Sequence, residues 1–283
     1  MKPTAFEYLA PETCDEALEA LAAQGDEAAV LAGGQSLIPM MNLRIAAPWV
    51  LVDIMRIAEL RDIGREPGWI EIGAGVSMAR AEREAGVPLL TAALRNVGHP
   101  PIRNRGTVCG SVAHADPSAE VPAVLLALDG EVVLQSERGR RVLSADDFFR
   151  SYFTTAREPT ELVVAVRIPA TGRRTAFLEV TPRASGSTGE FATVAVAATA
   201  DRDDDGRLGN VALAFAGAAE RPIRAREAEA IMSGTEPTPE AIATAADAAA
   251  HAVDPPADVH AGSDYRRRLV HTLTARALTE LAA

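Results

Sequence analysis

Two short glycine-containing stretches carry residue types that could bind a phosphate group. The first is Gly33-Gly34-Gln35-Ser36, and the second is Gly106-Thr107-Val108-Cys109-Gly110-Ser111. A buried phosphate needs several N–H donors, and backbone amides supply them only where no side chain blocks the approach. Glycine gives that access and also adopts positive φ. Thr107 and Ser111 add hydroxyl donors, so both stretches could bind phosphate oxygens.

Neither stretch matches a standard nucleotide-binding motif. GxGxxG and the GK[ST] of a P-loop are absent from both, so a Rossmann dinucleotide site and a P-loop nucleotidase are unsupported. One glycine pair is weak evidence, because glycine pairs end strands in many folds. Two such stretches in one predicted domain, both rich in small hydroxyl or amide residues, indicate a ligand that contains a pyrophosphate.

The elements around the first stretch predict a small α/β unit. Thr13 and Glu16 are spaced as a capping box at the start of a helix. After that helix the pattern predicts a strand ending at the glycines, a short helix with Ser36 at its N-cap, and a second strand. These segments are "AAVLAGG", "SLIPMMNLR" and "WVLVDI".

Residues 56–170 repeat this arrangement in altered form around the second stretch. The predicted strands are "WIEIGAGVS", "EVVLQS" and "ELVVAVRIP". The predicted helices are "MARAEREAG", "PLLTAALRNVG", "AEVPAVLLALDG" and "SADDFFRSYF". The segment "NRGTVCGSVAHADP" between them is predicted to be a glycine-bearing turn. Asp129-Gly130 suits a tight turn between the apolar helix and the strand that follows it.

The composition shifts after Pro169. Three strand-like segments follow, the last two joined by the polar hairpin loop "DRDDDGRLG", and then three helical segments. We therefore predict an N-terminal domain over residues 1–170, with subdomains of about 1–55 and 56–170, and a C-terminal domain over 171–283. The C-terminal domain is expected to be an α+β unit with an antiparallel sheet backed by helices.

Composition and charge exclude several classes of function. The chain has 48% hydrophobic and 24% charged residues and a formal net charge of -11, which disfavours a nucleic-acid partner. No apolar run approaches the roughly 20 residues of a membrane span, and the N-terminus lacks a signal-peptide pattern. We expect a cytoplasmic protein without a membrane span.

The cysteines and histidines give no support for a metal site in this chain. Cys14 and Cys109 are the only cysteines, too few for a disulfide framework, a structural zinc site or an iron–sulfur cluster. The five histidines show no HExxH or comparable spacing. Any iron–sulfur centre must therefore lie on another chain.

Several motifs, taken in order, closely resemble the FAD-binding medium subunit of molybdenum hydroxylases. They are "LAGGQSLIPMMNLRIAAPWVLVDI", "IEIGAGVS", "HPPIRNRGTVCGSVAHADPSAEVPAVLLALDG" and "YRRRLV". That group includes carbon monoxide dehydrogenase, nicotine dehydrogenase and the flavin domain of xanthine dehydrogenase, and the resemblance covers nearly the whole chain. It implies an α+β fold: the FAD-binding fold of the vanillyl-alcohol oxidase type, with two α/β subdomains, followed by the family's C-terminal domain.

The resemblance also implies which residues contact FAD. The first pyrophosphate loop corresponds to Ala32, Gly33, Gly34, Gln35, Ser36 and the adjoining Leu37. The second corresponds to Thr107, Cys109, Gly110 and Ser111. Asp116 matches a carboxylate near the FAD ribityl or phosphate region, and Ile102, Leu162 and Phe191 match positions that line the flavin. Glu190 stands where the family has an aspartate.

In such complexes the substrate is oxidised at a molybdenum cofactor on a large molybdopterin-binding subunit. Electrons then cross [2Fe-2S] clusters on a small subunit and reach FAD, which releases them to NAD, a quinone, oxygen or another carrier. The resemblance thus implies an electron-transferring oxidoreductase subunit with no catalytic residue of its own. The alternatives are a stand-alone flavin-dependent oxidase or monooxygenase acting on a small molecule, and a degenerate subunit kept for assembly.

Cys109 departs from the family pattern, which has a glycine there. If the position needed positive φ, a non-glycine residue would cost roughly 1–2 kcal/mol. Cys109 is interpreted as a small buried thiol, and the alternative is a thiol that reacts with or is linked to FAD. His114 is expected to shape the cofactor loop rather than to catalyse, and "YRRRLV" is expected to be a docking or solvated face.

Overall fold

A three-stranded parallel sheet forms the N-terminal part of the protein. The computed structural model describes residues 2–182 and 191–283. The strands are β1 (Glu7–Leu9), β2 (Ala28–Leu31) and β3 (Val50–Asp53), in the order β1-β3-β2, and the helices are α1 (Cys14–Gln24) and α2 (Leu37–Asn42). The predicted strands and helices of this unit are confirmed. The sequence missed β1, because three residues are too few to show a period.

The capping box at the start of α1 forms in part. The Thr13 hydroxyl accepts a hydrogen bond from the Glu16 amide at 3.2 Å, as predicted. The Glu16 carboxylate accepts from the amide of Glu12 at 2.8 Å, one residue before the N-cap, rather than from Thr13 itself. Both contacts satisfy amides at the chain's entry into the helix.

A five-stranded antiparallel sheet forms the second unit. Its part of the chain contains the strands β4 (Ile63–Glu66), β5 (Trp69–Gly73), β6 (Glu131–Ser136), β7 (Gly139–Ser144), β8 (Phe149–Ser151), β9 (Thr154–Thr155) and β10 (Leu162–Pro169). The sheet order is β4-β5-β10-β6-β7, while β8 and β9 form a separate hairpin. The helices are α3 (Met78–Glu84), α4 (Pro88–Leu94), α5 (Pro100–Arg105), α6 (Val108–His114), α7 (Glu120–Ala127) and α8 (Ala145–Phe148).

Two predictions for this unit are wrong. Half of the predicted glycine turn is helix α6, because Thr107 caps a helix that starts at the next residue. The predicted helix "SADDFFRSYF" stops after four residues at Phe148. Phe148 and Phe149 are both buried with their rings edge to face at 5.3 Å, and the backbone is extended from Phe149 onward. Burial of both adjacent rings therefore accompanies the change from helix to strand.

The C-terminal part is an antiparallel sheet covered by helices, as predicted. The strands are β11 (Arg174–Val180), β12 (Val194–Arg202), β13 (Leu208–Ala216) and β14 (Ile223–Arg224), paired in that order. The helices are α9 (Arg226–Met232), α10 (Pro239–His251) and α11 (Ser263–Ala282). The polar segment between β12 and β13 is the predicted hairpin loop. No helix within the described ranges is long and apolar enough to cross a membrane.

Helix α7 joins the N-terminal and C-terminal parts. All eight of its residues are buried, and it packs against β12 and β13. The Thr199 hydroxyl on β12 donates to the carbonyl of Ala127 at the helix end, at 3.3 Å. An apolar helix without a polar face must be covered on every side, which explains why the chain places a sheet against it.

We expect Leu126→Ala in α7 to lower the free energy of unfolding by about 2–5 kcal/mol, because Leu126 is 2% exposed and truncation leaves a cavity. Leu43→Ala is the matched control: Leu43 is 58% exposed, so its truncation should change that free energy by less than about 0.5 kcal/mol. Urea unfolding followed by far-UV circular dichroism measures both. Equal losses in the two variants would contradict the role of α7 as shared core.

Candidate functional site

The two glycine stretches lie directly against each other. Gly33 is buried, and a Cβ at this position would overlap the carbonyl oxygen of Arg105 and lie 2.6 Å from the Cα of Gly106. A Cβ on Gly110 would lie 3.9 Å from the Cβ of Ala32. The first stretch therefore approaches the second backbone to backbone, at a distance that only glycine allows at residue 33.

Strand β2 and helix α2 position the first stretch. Leu31 pairs with Asp53 at the end of β2, and the chain leaves the sheet there. Gly34 has φ +71, which L side chains rarely adopt, and its carbonyl accepts from the Ile38 amide at 3.1 Å to begin α2. The Gln35 side chain donates back to the carbonyl of Gly33 at 3.3 Å. The turn is thereby held at both ends.

Hydrogen bonds to the segment after β5 position the second stretch. The Met78 amide donates to the carbonyl of Gly106 at 2.8 Å, and the Val108 amide donates to the carbonyl of Val76 at 3.4 Å. The Thr107 hydroxyl accepts from the Gly110 amide at 2.9 Å and so caps α6. Thr107 is buried, and its hydroxyl oxygen serves the helix cap.

A row of backbone N–H groups at this contact has no protein acceptor. Within residues 2–182 and 191–283, the amides of residues 33–37 donate to no protein group, and the Cys109 amide likewise donates to none. Ser36 occupies the N-cap of α2 as predicted, but its side chain makes no capping hydrogen bond. Partly buried amides need an acceptor, so this arrangement suits an anionic group that carries several oxygens.

Cys109 does not strain the backbone. It is the second residue of α6 and does not have positive φ, so the expected strain is absent. Its side chain is 2% exposed, and the Sγ donates to the carbonyl of Ile72 on β5 at 3.3 Å. Burial raises the pKa of the Cys109 thiol to about 12, so it is protonated at neutral pH and a poor nucleophile. The interpretation as a small buried thiol is confirmed.

Three of the remaining predicted positions lie on α5, just after α6 and at the start of β10. The carbonyl of Ile102 in α5 accepts from the Gly106 amide at 2.7 Å, which ties α5 to the second stretch. Asp116 is half-buried after α6, and its carboxylate accepts from the Ser118 amide at 2.8 Å. Leu162 is buried at the start of β10, the central strand, near the position where the neighbouring strand β5 ends.

Phe191 is 63% exposed and immediately precedes the buried start of the segment leading into β12. Glu190 lies outside the described residues. Among the residues that the structure does describe, no hydrogen bond links Asp116, Leu162 or Phe191 to either glycine stretch. Their predicted contacts with a ligand therefore stay predictions.

One buried acid, Glu120, and one half-buried acid, Glu179, were missed in the sequence. Glu120, at the start of α7, is 4% exposed, and burial together with repulsion from Glu179 raises its pKa to about 8. Burial raises the pKa of Glu179 on β11 to about 7, and its Oε2 has no hydrogen-bond partner among the residues that the structure describes. The sequence offered one signal for each: Glu120 is the first residue of an otherwise apolar helix, and Glu179 lies between apolar residues in β11.

His114 ends α6 and packs its ring against Phe153 at 5.1 Å between centroids. Burial lowers the pKa of His114, with a smaller opposing effect from Asp116, so the ring is neutral at neutral pH. Over the described parts of the chain, no group of three or more His, Cys, Asp or Glu residues could hold a metal ion.

Comparison with known families matches both parts of the chain. Residues 4–171 match the model described as the FAD binding domain in molybdopterin dehydrogenase, and residues 179–281 match the CO dehydrogenase flavoprotein C-terminal domain. The chain is 37% identical over 286 residues to the 6-hydroxypseudooxynicotine dehydrogenase complex subunit alpha of Paenarthrobacter nicotinovorans, covering 99% of this chain and 95% of that one. It is 35% identical to the carbon monoxide dehydrogenase medium chain of Hydrogenophaga pseudoflava, covering 98% and 97%.

Solved structures match over the same length. Carbon monoxide dehydrogenase from Hydrogenophaga pseudoflava superposes with a TM-score of 0.94 at 37% identity, over 99% of this chain and 98% of that one. Quinoline 2-oxidoreductase from Pseudomonas putida 86 superposes with a TM-score of 0.93 at 34% identity, over 100% and 98%.

We expect Glu120 and Glu179 to make the protein less stable as pH rises from about 5 to about 9. Both have raised pKa values in the folded state, so the folded protein keeps protons that the unfolded chain releases near pH 4.5. Their contribution is complete below that pH and is lost as pH passes through about 7 and about 8.

Urea midpoints measured across this range should fall less steeply in Glu120→Gln than in the wild type, because the amide stays neutral. Each proton released contributes at most about 1.4 kcal/mol per pH unit. Glu19→Gln, at an exposed position on α1, is the control and should follow the wild-type slope. Parallel slopes in all three proteins would show that the carboxyl of Glu120 ionises normally.

Proposed function

The chain belongs to the family of FAD-binding medium subunits of molybdenum-containing dehydrogenases and hydroxylases, and on that premise we propose that it binds FAD at the two glycine stretches and passes electrons from a partner chain to an external acceptor. The proposed FAD-contacting residues are Ala32, Gly33, Gly34, Gln35, Ser36, Leu37, Ile102, Thr107, Cys109, Gly110, Ser111, Asp116, Leu162 and Phe191.

The observation that carries this proposal is the contact between the two stretches and the row of amides left without acceptors. Gly33 supports it because its missing Cβ lets the two backbones meet. The free amides of residues 33–37 and of Cys109 are donors for the oxygens of a pyrophosphate. Cys109 would contribute its backbone N–H, since its thiol bonds to Ile72.

When bound, FAD supplies redox chemistry that accepts electrons singly and releases them as a pair. The residues of this chain bind and orient the cofactor. Thr107 caps the helix that follows the second stretch, Gly33 and Gly34 give backbone access, and the packed second stretch excludes water from one side of the contact. The protonated thiol of Cys109 and the neutral ring of His114 provide no charged group for the site.

The hypothesis of a stand-alone flavin oxidase or monooxygenase drew its support from Cys109. Because that thiol is buried and hydrogen-bonded to β5, it no longer favours independent chemistry at the flavin. We propose instead that a large molybdopterin-binding subunit and a small [2Fe-2S] subunit are the partners. The relatives named as a medium chain and as a subunit of a dehydrogenase complex support this assignment.

We expect Gly33→Ala to weaken FAD binding at least about tenfold, because the new Cβ would overlap the Arg105 carbonyl and force the stretches apart. Gly64→Ala in β4 is the matched control, since a Cβ there meets only the Glu71 Cβ at an ordinary 3.8 Å. Flavin fluorescence titration of the full chain gives both affinities, with circular dichroism to verify folding. A folded Gly33→Ala protein with wild-type affinity would contradict the proposed site.

The partner assignment is tested by isolating the tagged full chain from its native host and identifying the chains that co-purify. We expect a molybdopterin-binding chain and a cysteine-rich [2Fe-2S] chain, and flavin that is reduced when dithionite-reduced [2Fe-2S] chain is added anaerobically. Isolation of this chain without either partner, holding flavin that turns over with a small molecule, would favour the stand-alone enzyme.

A further inference from the structure

Arg266 is a buried cation that the sequence motif did not lead us to expect. The segment "YRRRLV" is predicted to be a docking or solvated face, and Arg268 is exposed over the ring of Tyr265. Arg266 instead points inward from the first turn of α11 and is 4% exposed. The prediction is therefore wrong for this residue, and a buried arginine needs acceptors for its N–H groups.

The acceptors for its Nη1 and Nη2 groups come from two separate loops and one carboxylate, while its Nε has no hydrogen-bond partner among the described residues. Arg266 Nη1 donates to the carbonyl oxygens of Thr193 at 2.5 Å and Gly217 at 3.2 Å. Its Nη2 donates to Asp258 at 2.5 Å. Asp258 is held in turn by the amides of His260 and Ala261. The guanidinium thus connects the start of α11 with the segment before β12 and the turn after β13.

Both of these loops lead to proposed FAD-contacting residues. Thr193 lies two residues after Phe191, and its amide is fixed to the carbonyl of Val180 at 2.8 Å. The Gly217 amide donates to the carbonyl of Pro117 at 2.8 Å, and Pro117 directly follows Asp116. A Cβ on Gly217, which has φ +71, would collide with the carbonyl of Thr193, so the two loops are in backbone contact.

From these contacts we propose that Arg266, paired with Asp258, is a positioning residue for the flavin site, which it reaches through Thr193 and Gly217 rather than by touching the cofactor. The inference rests on the proposed FAD function. By this inference the C-terminal domain helps to position the residues around the flavin. The guanidinium holds two carbonyl oxygens close together and so sets the spacing between the Asp116 loop and the Phe191 segment.

The side chain at this position must be arginine for a geometric reason. A guanidinium presents its donors in a rigid planar fork and can meet two carbonyls and a carboxylate at once. A lysine would keep the charge and lose the fork, so Arg266→Lys isolates the geometry from the charge. Arg224 is the matched control because it is also buried and paired, with Glu229 at 2.7 Å and with Asp129, but bonds to neither loop.

The test compares the full-length wild type, Arg266→Lys and Arg224→Lys by the visible circular dichroism of bound FAD and by FAD titration. We expect Arg266→Lys to change the flavin dichroism and to weaken FAD binding about tenfold. Arg224→Lys should lower thermal stability to a similar degree while its flavin dichroism and FAD affinity match the wild type. If Arg266 had a purely structural role, both variants would lose thermal stability and neither would change the visible circular dichroism of bound FAD.

Asp258→Asn is the second variant if Arg266→Lys does not fold, because the Asp258 side chain is 42% exposed and asparagine keeps its shape and an acceptor oxygen. It should shift the flavin dichroism in the same direction by a smaller amount. Wild-type dichroism in Arg266→Lys, or in Asp258→Asn where that variant stands in, overturns the inference while leaving the FAD function intact. A wild-type chain that binds no FAD overturns the proposed function and this inference together.

Discussion

The close approach of two backbones at Gly33 is the constraint on which the site depends. The carbonyl of Arg105 occupies the space that any Cβ at residue 33 would need. Beside this contact and the capped start of α6, the amides of residues 33–37 donate to no group in the described part of the chain. A parallel unit and an antiparallel unit thus share one donor surface, and a ligand that uses it must contact both.

The C-terminal part contacts the N-terminal part through α7 and through the segment that follows Asp116. Helix α7 is apolar after Glu120 and is buried against β12 and β13, so the core of the N-terminal part extends onto that sheet. The bond from Gly217 to the carbonyl of Pro117 and the donors of Arg266 run along the same boundary. Packing and hydrogen bonding there hold the Asp116 loop against a rigid sheet.

Much of the fold could be predicted because its elements are long or strongly patterned. Strand β10, helix α7 and the β12–β13 hairpin follow from apolar runs and turn residues, and these local signals persist in the structure. The errors arose where packing overrides local preference. That is the case at Phe148, where the burial of two adjacent rings accompanies the end of α8, whereas at Thr107 a local N-cap starts a helix inside a segment that the glycines made look like a turn. The residue pattern does not show which groups a side chain will contact, or which side of a short segment will be buried.

The amino-acid order was sufficient to identify both glycine stretches, their suitability for a pyrophosphate and the family resemblance, because these depend on residue type and spacing. The folded chain decided how those residues are used. It brings Gly33 against Gly106, points the thiol of Cys109 into β5, and buries Arg266 within a motif that looks solvated. Contacts between residues far apart in the chain set these outcomes, since burial and hydrogen-bond partners arise only when separate segments pack together.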